Sequence, residues 1–255
     1  MKIDILGCGS AFSRWQNTSA LRVLDDNHQW LIDCGPTVPR ALWQRDGDIN
    51  DIDVIFFTHV HPDHCAGLMA LLNYWKSFSR QKPLIIYSQA EQRPVLMQLA
   101  RLANWPASTL SFEIEWRDTT TSWCWQNWQI ETAFTQHEIA NHAIRLSIGS
   151  HSLFYSGDGR PTPESVALMT ASDLAFQECA SLTPLADDAS HGDFPGCLEL
   201  FNTLGLPRLG LYHCYDATLP ELKQACLPYP GLFVSEDGLQ YDYQQQQFSH
   251  GTYPL

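Results

Sequence analysis

The sequence predicts an α/β fold in which two sheets pack face to face with helices outside. Three observations lead there. Strand patterns, then helices, then more strands and helices follow one another without a break, and each half of the chain holds both kinds. That order suits layered sheets and helices better than a helical bundle or an all-β sandwich. With 255 residues, 44% of them hydrophobic and 17% charged, the chain has the material for one large core. A single domain over residues 1–255 is therefore expected.

The elements follow from local patterning. Apolar and alternating runs predict strands over 2–6, 19–24 and 29–33, then a short helix over 38–45. DVIFFTH reads as a buried strand over 53–59, and a helix begins near Asp63 and runs through GLMALLNYWKSF. PLIIY predicts a strand, EQRPVLMQLARLA a helix, and LSFEIEW and NWQIETAFTQ two further strands. AIRLSI and SLFYSGD form a hairpin about Gly149-Ser150. Helices are expected over 162–170, 196–204 and 219–226, with short buried strands DLAFQE and RLGLYHC between them. LFVSEDGLQYDY reads as two strands around a turn at Asp237-Gly238.

Charge and cysteine usage narrow the function classes. Asp and Glu number 28 against 15 Lys and Arg, a formal net charge of −13. That balance counts against long nucleic acid and anionic membranes as partners, since both favour basic surfaces. No apolar run approaches the roughly 20 residues of a membrane span. The opening MKIDILGCGS lacks the apolar stretch and cleavage site of a signal peptide. Eight cysteines with no CxxC pair suggest reduced, mostly buried thiols, so a cytoplasmic protein is expected.

The main chemical signal is Thr58-His59-Val60-His61-Pro62-Asp63-His64, placed where an apolar strand stops and a helix starts. His59 and His61 are two apart on the strand end and point to one face. Asp63 and His64 lie in the turn into the helix and can face the same cavity. Three imidazoles and a carboxylate in one short loop suit Zn²⁺, with iron or manganese as alternatives.

This pattern is the signature of the metallo-β-lactamase superfamily, which the whole chain resembles. The resemblance implies a four-layer αββα sandwich with a metal centre at one edge between the sheets. It also implies three further ligands at later strand ends: His137 after QIETAFTQ, Asp158 in FYSGDG and His213 in LGLYHC. By the family's roles, His59, His61 and His137 hold one divalent ion, Asp63, His64 and His213 hold a second, and Asp158 bridges them. Asp63 thus stands as both ligand and candidate catalytic residue. A water shared by two such ions becomes hydroxide near neutral pH. His142, five residues past His137, is a candidate pocket residue; His28, His151 and His250 read as surface residues.

Three features indicate the branch. ILGCGSAF, QNTSALRVL and WLIDCG resemble the start of ribonuclease Z and related phosphodiesterases, in which Asp33 would orient a ligand histidine. Only 21 positions separate His137 from Asp158. That is enough for the hairpin but not for the tRNA-gripping arm that ribonuclease Z inserts in this region. His191, in SHGDF, resembles the additional histidine of the phosphodiesterase branch. It would bind a phosphate oxygen or protonate the leaving alkoxide, with Glu178 as a candidate to orient it. The layout is most similar to compact cyclic-phosphate phosphodiesterases, although only Cys8 stands where those often carry a cysteine-rich structural zinc site.

The reading that results is a dinuclear-metal hydrolase acting on a small or cyclic phosphodiester. Its alternatives are a hydrolase of thioesters, lactones or lactams, and a ribonuclease Z-like nuclease lacking the tRNA-binding arm. A non-enzymatic binding protein retaining the fold is a third class, disfavoured because all seven expected ligands are present. A homodimer is a further expectation, with Trp123, Trp125 and Trp128 offering a dimer face, a pocket lining or core packing.

Overall fold

A computed structural model describes residues 1–251 apart from 46, 108 and 171. From the N-terminus the chain forms β1 (Lys2–Gly7), β2 (Ala20–Leu24), β3 (Gln29–Ile32), α1 (Val38–Trp43) and β4 (Ile52–Phe56). It continues with α2 (Pro62–Cys65), α3 (Leu68–Ser77), β5 (Leu84–Ser88), α4 (Arg93–Asn104) and β6 (Ile114–Asp118). Then come β7 (Ser122–Trp125), β8 (Trp128–Phe134), β9 (His142–Ile148), β10 (His151–Tyr155), α5 (Pro163–Thr170) and β11 (Leu174–Glu178). The chain ends with α6 (Phe194–Leu204), β12 (Leu209–Tyr212), α7 (Leu219–Cys226), β13 (Leu232–Val234), β14 (Leu239–Asp242) and β15 (Gln247–His250).

These elements fall into two compact units. The first holds Met1–Ala11, Gln16–Thr119 and the segment from Glu236 on; the second holds Phe12–Trp15 and Thr120–Ser235. The first unit is one mixed sheet in the order β15-β14-β1-β2-β3-β4-β5-β6. Its strands from β3 to β6 run parallel and the others antiparallel. All five residues of β4 are buried, as expected inside a parallel sheet, and the one charged residue among them, Asp53, pairs with Lys82 at 2.7 Å. Against it lies α3, whose buried Leu68, Leu71, Leu72 and Trp75 recur at helical spacing.

The second unit is a mixed sheet in the order β13-β12-β11-β10-β9-β8-β7. It is antiparallel from β7 to β10 and parallel from β10 to β13. Its core gathers Phe154, Ala175, Leu209, Leu211 and Leu232 from the strands with Met169, Cys197 and Leu222 from the helices. Clear signals bound α6. The Asp193 carboxylate accepts from Gly196 N at 2.9 Å, Pro195 occupies the first turn, and Gly205 ends the helix at φ +61°.

Two mixed sheets with flanking helices match the α/β class the element order predicts. The tail forms the two strands expected around the turn at Asp237-Gly238, and these join different sheets. β13 extends the second sheet beside β12, whereas β14 pairs with β1 and turns into β15. Periodicity marks a strand but not its neighbour. Here Ser235 N bonds Leu211 O and Gly238 N bonds Ile5 O, so the turn at Asp237-Gly238 separates two ladders instead of closing one. Trp128 is fully buried core, while Trp123 and Trp125 are half-buried on the edge strand β7, which sequence patterning missed. Among the described residues no helix is long and apolar enough to cross a membrane.

Candidate metal centre

In the first unit the candidate donors come from one loop. The chain leaves β4 through Phe57 and Thr58 to His59, and α2 begins at Pro62, with Asp63 and His64 in its single turn. Close backbone packing holds this loop. Cys34 N donates to His64 O at 2.7 Å and Gly67 N to Cys34 O at 2.9 Å. A Cβ at Gly35 would lie 1.8 Å from Asp63 O, and one at Gly67 would lie 2.0 Å from Gly35 O. Only glycine permits that approach.

Asp33 organises the donors. Fully buried and at φ +62°, it accepts from Thr58 N at 2.9 Å, from the Thr58 hydroxyl at 2.9 Å and from His64 Nδ1 at 2.8 Å. His64 therefore carries its proton on Nδ1 and turns Nε2 toward Asp63 Oδ2, 3.3 Å away. Thr58 Oγ1, donating to Asp33, accepts in turn from His59 Nδ1 at 3.0 Å, which leaves His59 Nε2 as a lone pair. That atom lies 3.1 Å from His61 Nδ1. Burial pushes the Asp33 carboxyl up, opposed by His64 and Thr58.

In the second unit the donors come from separate strand ends. His137 follows β8 and bonds Ser190 O through Nδ1 at 2.8 Å. Its Nε2 lies 4.0 Å from Asp158 Oδ2, and His213 Nε2 lies 3.4 Å from the same oxygen. His213 sits at φ +58°, a region costly for a residue with a Cβ, directly after β12. Asn141 holds the Asp158 loop. Its side chain accepts from Asp158 N at 3.1 Å and donates to Thr135 Oγ1 at 2.8 Å and Ser156 O at 2.9 Å. The Thr135 hydroxyl donates to Asp158 O, and the Tyr212 hydroxyl bonds Ser156 Oγ at 2.9 Å.

His191 stands beside these donors. Its ring stacks on His213 at 5.5 Å between centroids and meets His137 edge-on at 5.2 Å. Glu178 is fully buried and receives Gly159 N at 2.9 Å, Gly192 N at 2.8 Å and His191 Nδ1 at 3.2 Å on one oxygen. Burial pushes the Glu178 carboxyl up. Burial also works against the His191 cation, but the Glu178 hydrogen bond and the charges of Glu178, Asp158 and Glu138 outweigh it and raise its pKa to about 9.

The donor chemistry fits divalent ions in both units. His59 with His61 and Asp63 with His64 in the first, and Asp158 with His137 and with His213 in the second, offer ligand atoms within 4.8 Å of one another. Imidazole nitrogen and carboxylate oxygen suit zinc, manganese or iron. Glu178, His191 and His213 form a further group of this kind. Of the remaining histidines, His142 opens β9 and packs on the Phe134 ring at 4.3 Å. His151 is half-buried at the start of β10, His28 lies 3.7 Å from Asp25, and His250 is exposed near Glu236. Thr58, Asn141, Thr135, Ser156 and Tyr212 were not singled out by sequence reasoning. Thr58, directly before His59, and Tyr212, directly before His213, carried a signal in their position; the others carried none.

The comparisons with known proteins agree with this geometry. A family model described as "Anti-Pycsar protein Apyc1" matches residues 1–223. The chain is 40% identical over 88 residues to the Anti-Pycsar protein Apyc1 of Bacillus phage BSP38, covering 33% of this chain and 34% of that protein. It is 26% identical over 158 residues to the ribonuclease Z of Pediococcus pentosaceus, covering 59% and 50%. These alignments thus span between a third and a half of the relatives' own length. Among solved structures, the metallo-β-lactamase fold protein YhfI from Bacillus subtilis superposes with a TM-score of 0.81 at 19% identity, covering 94% of this chain and 98% of that one. The fold is therefore that of the metallo-β-lactamase superfamily, and within it the chain belongs to the Anti-Pycsar protein Apyc1 family.

Proposed function

We propose that the chain is a metal-dependent hydrolase that cleaves a small or cyclic phosphodiester. His59, His61 and His137 would hold one divalent ion, Asp63, His64 and His213 a second, with Asp158 shared. Zinc is the first choice and manganese or iron the alternatives. Bound ions supply Lewis acidity there, offsetting phosphate charge and making water nucleophilic near neutral pH.

The protein's own groups do the rest. Asp33 and Thr58 fix the tautomers of His64 and His59, so that each presents Nε2. Asn141 holds the Asp158 backbone. Asp63 serves as ligand and catalytic carboxylate. His191, anchored through Nδ1 by Glu178, keeps Nε2 for a phosphate oxygen or for the departing alkoxide.

The observation that carries this reading is the Glu178–His191 pair packed on His213. It adds an oriented donor beyond the expected ligand set, suited to a phosphoryl oxygen or a departing alkoxide. The two-residue turn Gly149-Ser150 between β9 and β10 leaves no arm for tRNA there, which favours a small substrate. The test is a panel of phosphodiesters, thioesters and lactones offered to protein reconstituted with Zn²⁺ or Mn²⁺. Turnover of phosphodiesters alone is expected; turnover confined to the acyl substrates would reverse the assignment.

A further inference from the structure

All eight cysteines are thiols, and only Cys124 is exposed. Three of the buried ones, Cys179, Cys197 and Cys214, share the core of the second unit. Cys179 follows Glu178 at the end of β11, Cys214 follows His213, and Cys197 lies in the first turn of α6. The backbone brings them together. Cys179 N donates to Tyr212 O at 2.9 Å, which seats Cys179 beside the strand end that leads to Cys214. The Cys197 thiol donates to Glu178 O at 3.7 Å, so its sulfur lies against the peptide that joins Glu178 to Cys179. The Cys197 and Cys214 thiols both donate to the Cys179 sulfur, and against burial they hold its thiol below the ordinary thiol range. Access sets Cys197 apart. It lines a cavity of about 310 Å³ bounded by α5, α6 and the end of β11, with Gln177 and Gly192 on the same wall. A space that size holds several waters, so hydrogen peroxide can reach the Cys197 sulfur.

We propose that Cys179 and Cys197 are an oxidative modification site, joined reversibly as a disulfide by hydrogen peroxide. The hydrolase reading makes no use of these thiols, and the site stands apart from it. The hydrogen-bonded pair holds one proton between two sulfurs, so Cys197 can act as thiolate while Cys179 keeps the proton. The Cys197 sulfur attacks peroxide, the O–O bond breaks, hydroxide leaves and a sulfenic acid remains. That hydroxide takes the Cys179 proton and departs as water. The Cys179 sulfur then attacks the Cys197 sulfur, the S–O bond breaks, and the second hydroxide takes a proton from solvent. The two sulfurs together lose two electrons, and the peroxide is reduced to two waters. Closing the pair to about 2.05 Å draws the first turn of α6 toward β11 and removes the Cys197 hydrogen bond to Glu178 O. His191, Gly192 and Asp193 immediately precede that turn, so the disulfide displaces the contact between His191 and Glu178.

The experiment treats full-length protein loaded with zinc, which has no redox chemistry of its own, with hydrogen peroxide. Digestion at acidic residues without reduction then puts the three cysteines on separate peptides. We expect a peptide pair joining Cys179 to Cys197, about 2 Da lighter than its two thiol halves and split by dithiothreitol. Cys197→Ser should abolish the link, and Cys124→Ser should leave it. Turnover of bis(p-nitrophenyl) phosphate should fall about tenfold on oxidation, return with dithiothreitol and resist the same treatment in Cys197→Ser. A link from Cys179 to Cys214, or no link in protein that stays folded through the treatment, overturns the proposal. So does an equal loss of turnover in Cys197→Ser, which would place the damage elsewhere. Protein with no turnover before oxidation contradicts the hydrolase reading alone, since the link is read by mass.

Discussion

The loop over residues 58–64 in the first unit and the strand ends of the second carry the same donor types, yet they are held in different ways. The first group is contiguous, and one buried carboxylate, Asp33, fixes two of its histidines. The second is scattered over His137, Asp158, His191 and His213, and a web of Asn141, Thr135, Ser156, Tyr212 and Glu178 ties the loops together. Concentration in the first unit means that one substitution should disable the whole loop. Distribution in the second means that losses there should be graded.

The sharpest way to break this contrast is Gly35→Ala. Its Cβ would meet Asp63 O at 1.8 Å and must displace the backbone of α2. A cost on the order of 4 kcal/mol or more is expected, seen as a large fall in Tm or loss of soluble protein. Asp33→Ala comes next. It strands the buried Thr58 amide and hydroxyl and the His64 Nδ1 proton. We expect a stability loss of about 3 kcal/mol and metal affinity reduced about 10- to 100-fold, measured by thermal unfolding and competitive metal titration. Asn141→Leu, in the distributed group, should lower metal affinity by about tenfold at most, with Asn141→Asp intermediate. Affinity lost equally in Asn141→Leu and Asp33→Ala would erase the proposed difference between the halves.

The same contrast explains what was legible in the sequence. HxHxDH shows itself because its donors are neighbours in the chain, and LIDCG shows itself because Asp33 and Gly35 are both required within three residues. His137, Asp158 and His213 were found only through the order in which the family places them after that motif. The supporting web was invisible. Asn141, Thr135 and Ser156 are ordinary small polar residues whose roles appear only when the ends of β8, β9 and β10 are brought together. The two tail strands around Asp237-Gly238 were legible as well, but strand patterning does not reveal that β13 and β14 join different sheets.

Glu178→Gln probes the second unit more gently. Glutamine keeps the shape and can still accept from Gly159 N and Gly192 N, but it removes the charge beside His191. Turnover should fall roughly tenfold, less than the factor of about 10² to 10⁴ that an oriented proton donor contributes, while metal content stays unchanged. Smallest of all should be Glu115→Ala in β6, where a half-exposed pair with Arg117 is lost. Stability should change by about 0.5 kcal/mol or less.

The central claim is that His191 is a substrate-directed donor standing beside a metal centre it does not ligate. It is tested most directly by measuring metal content and phosphodiester turnover together in His191→Ala. The account predicts the same number of bound ions per chain as in the unaltered protein and turnover reduced at least about a hundredfold. Loss of bound metal in this variant, or full turnover with the metal retained, would contradict it.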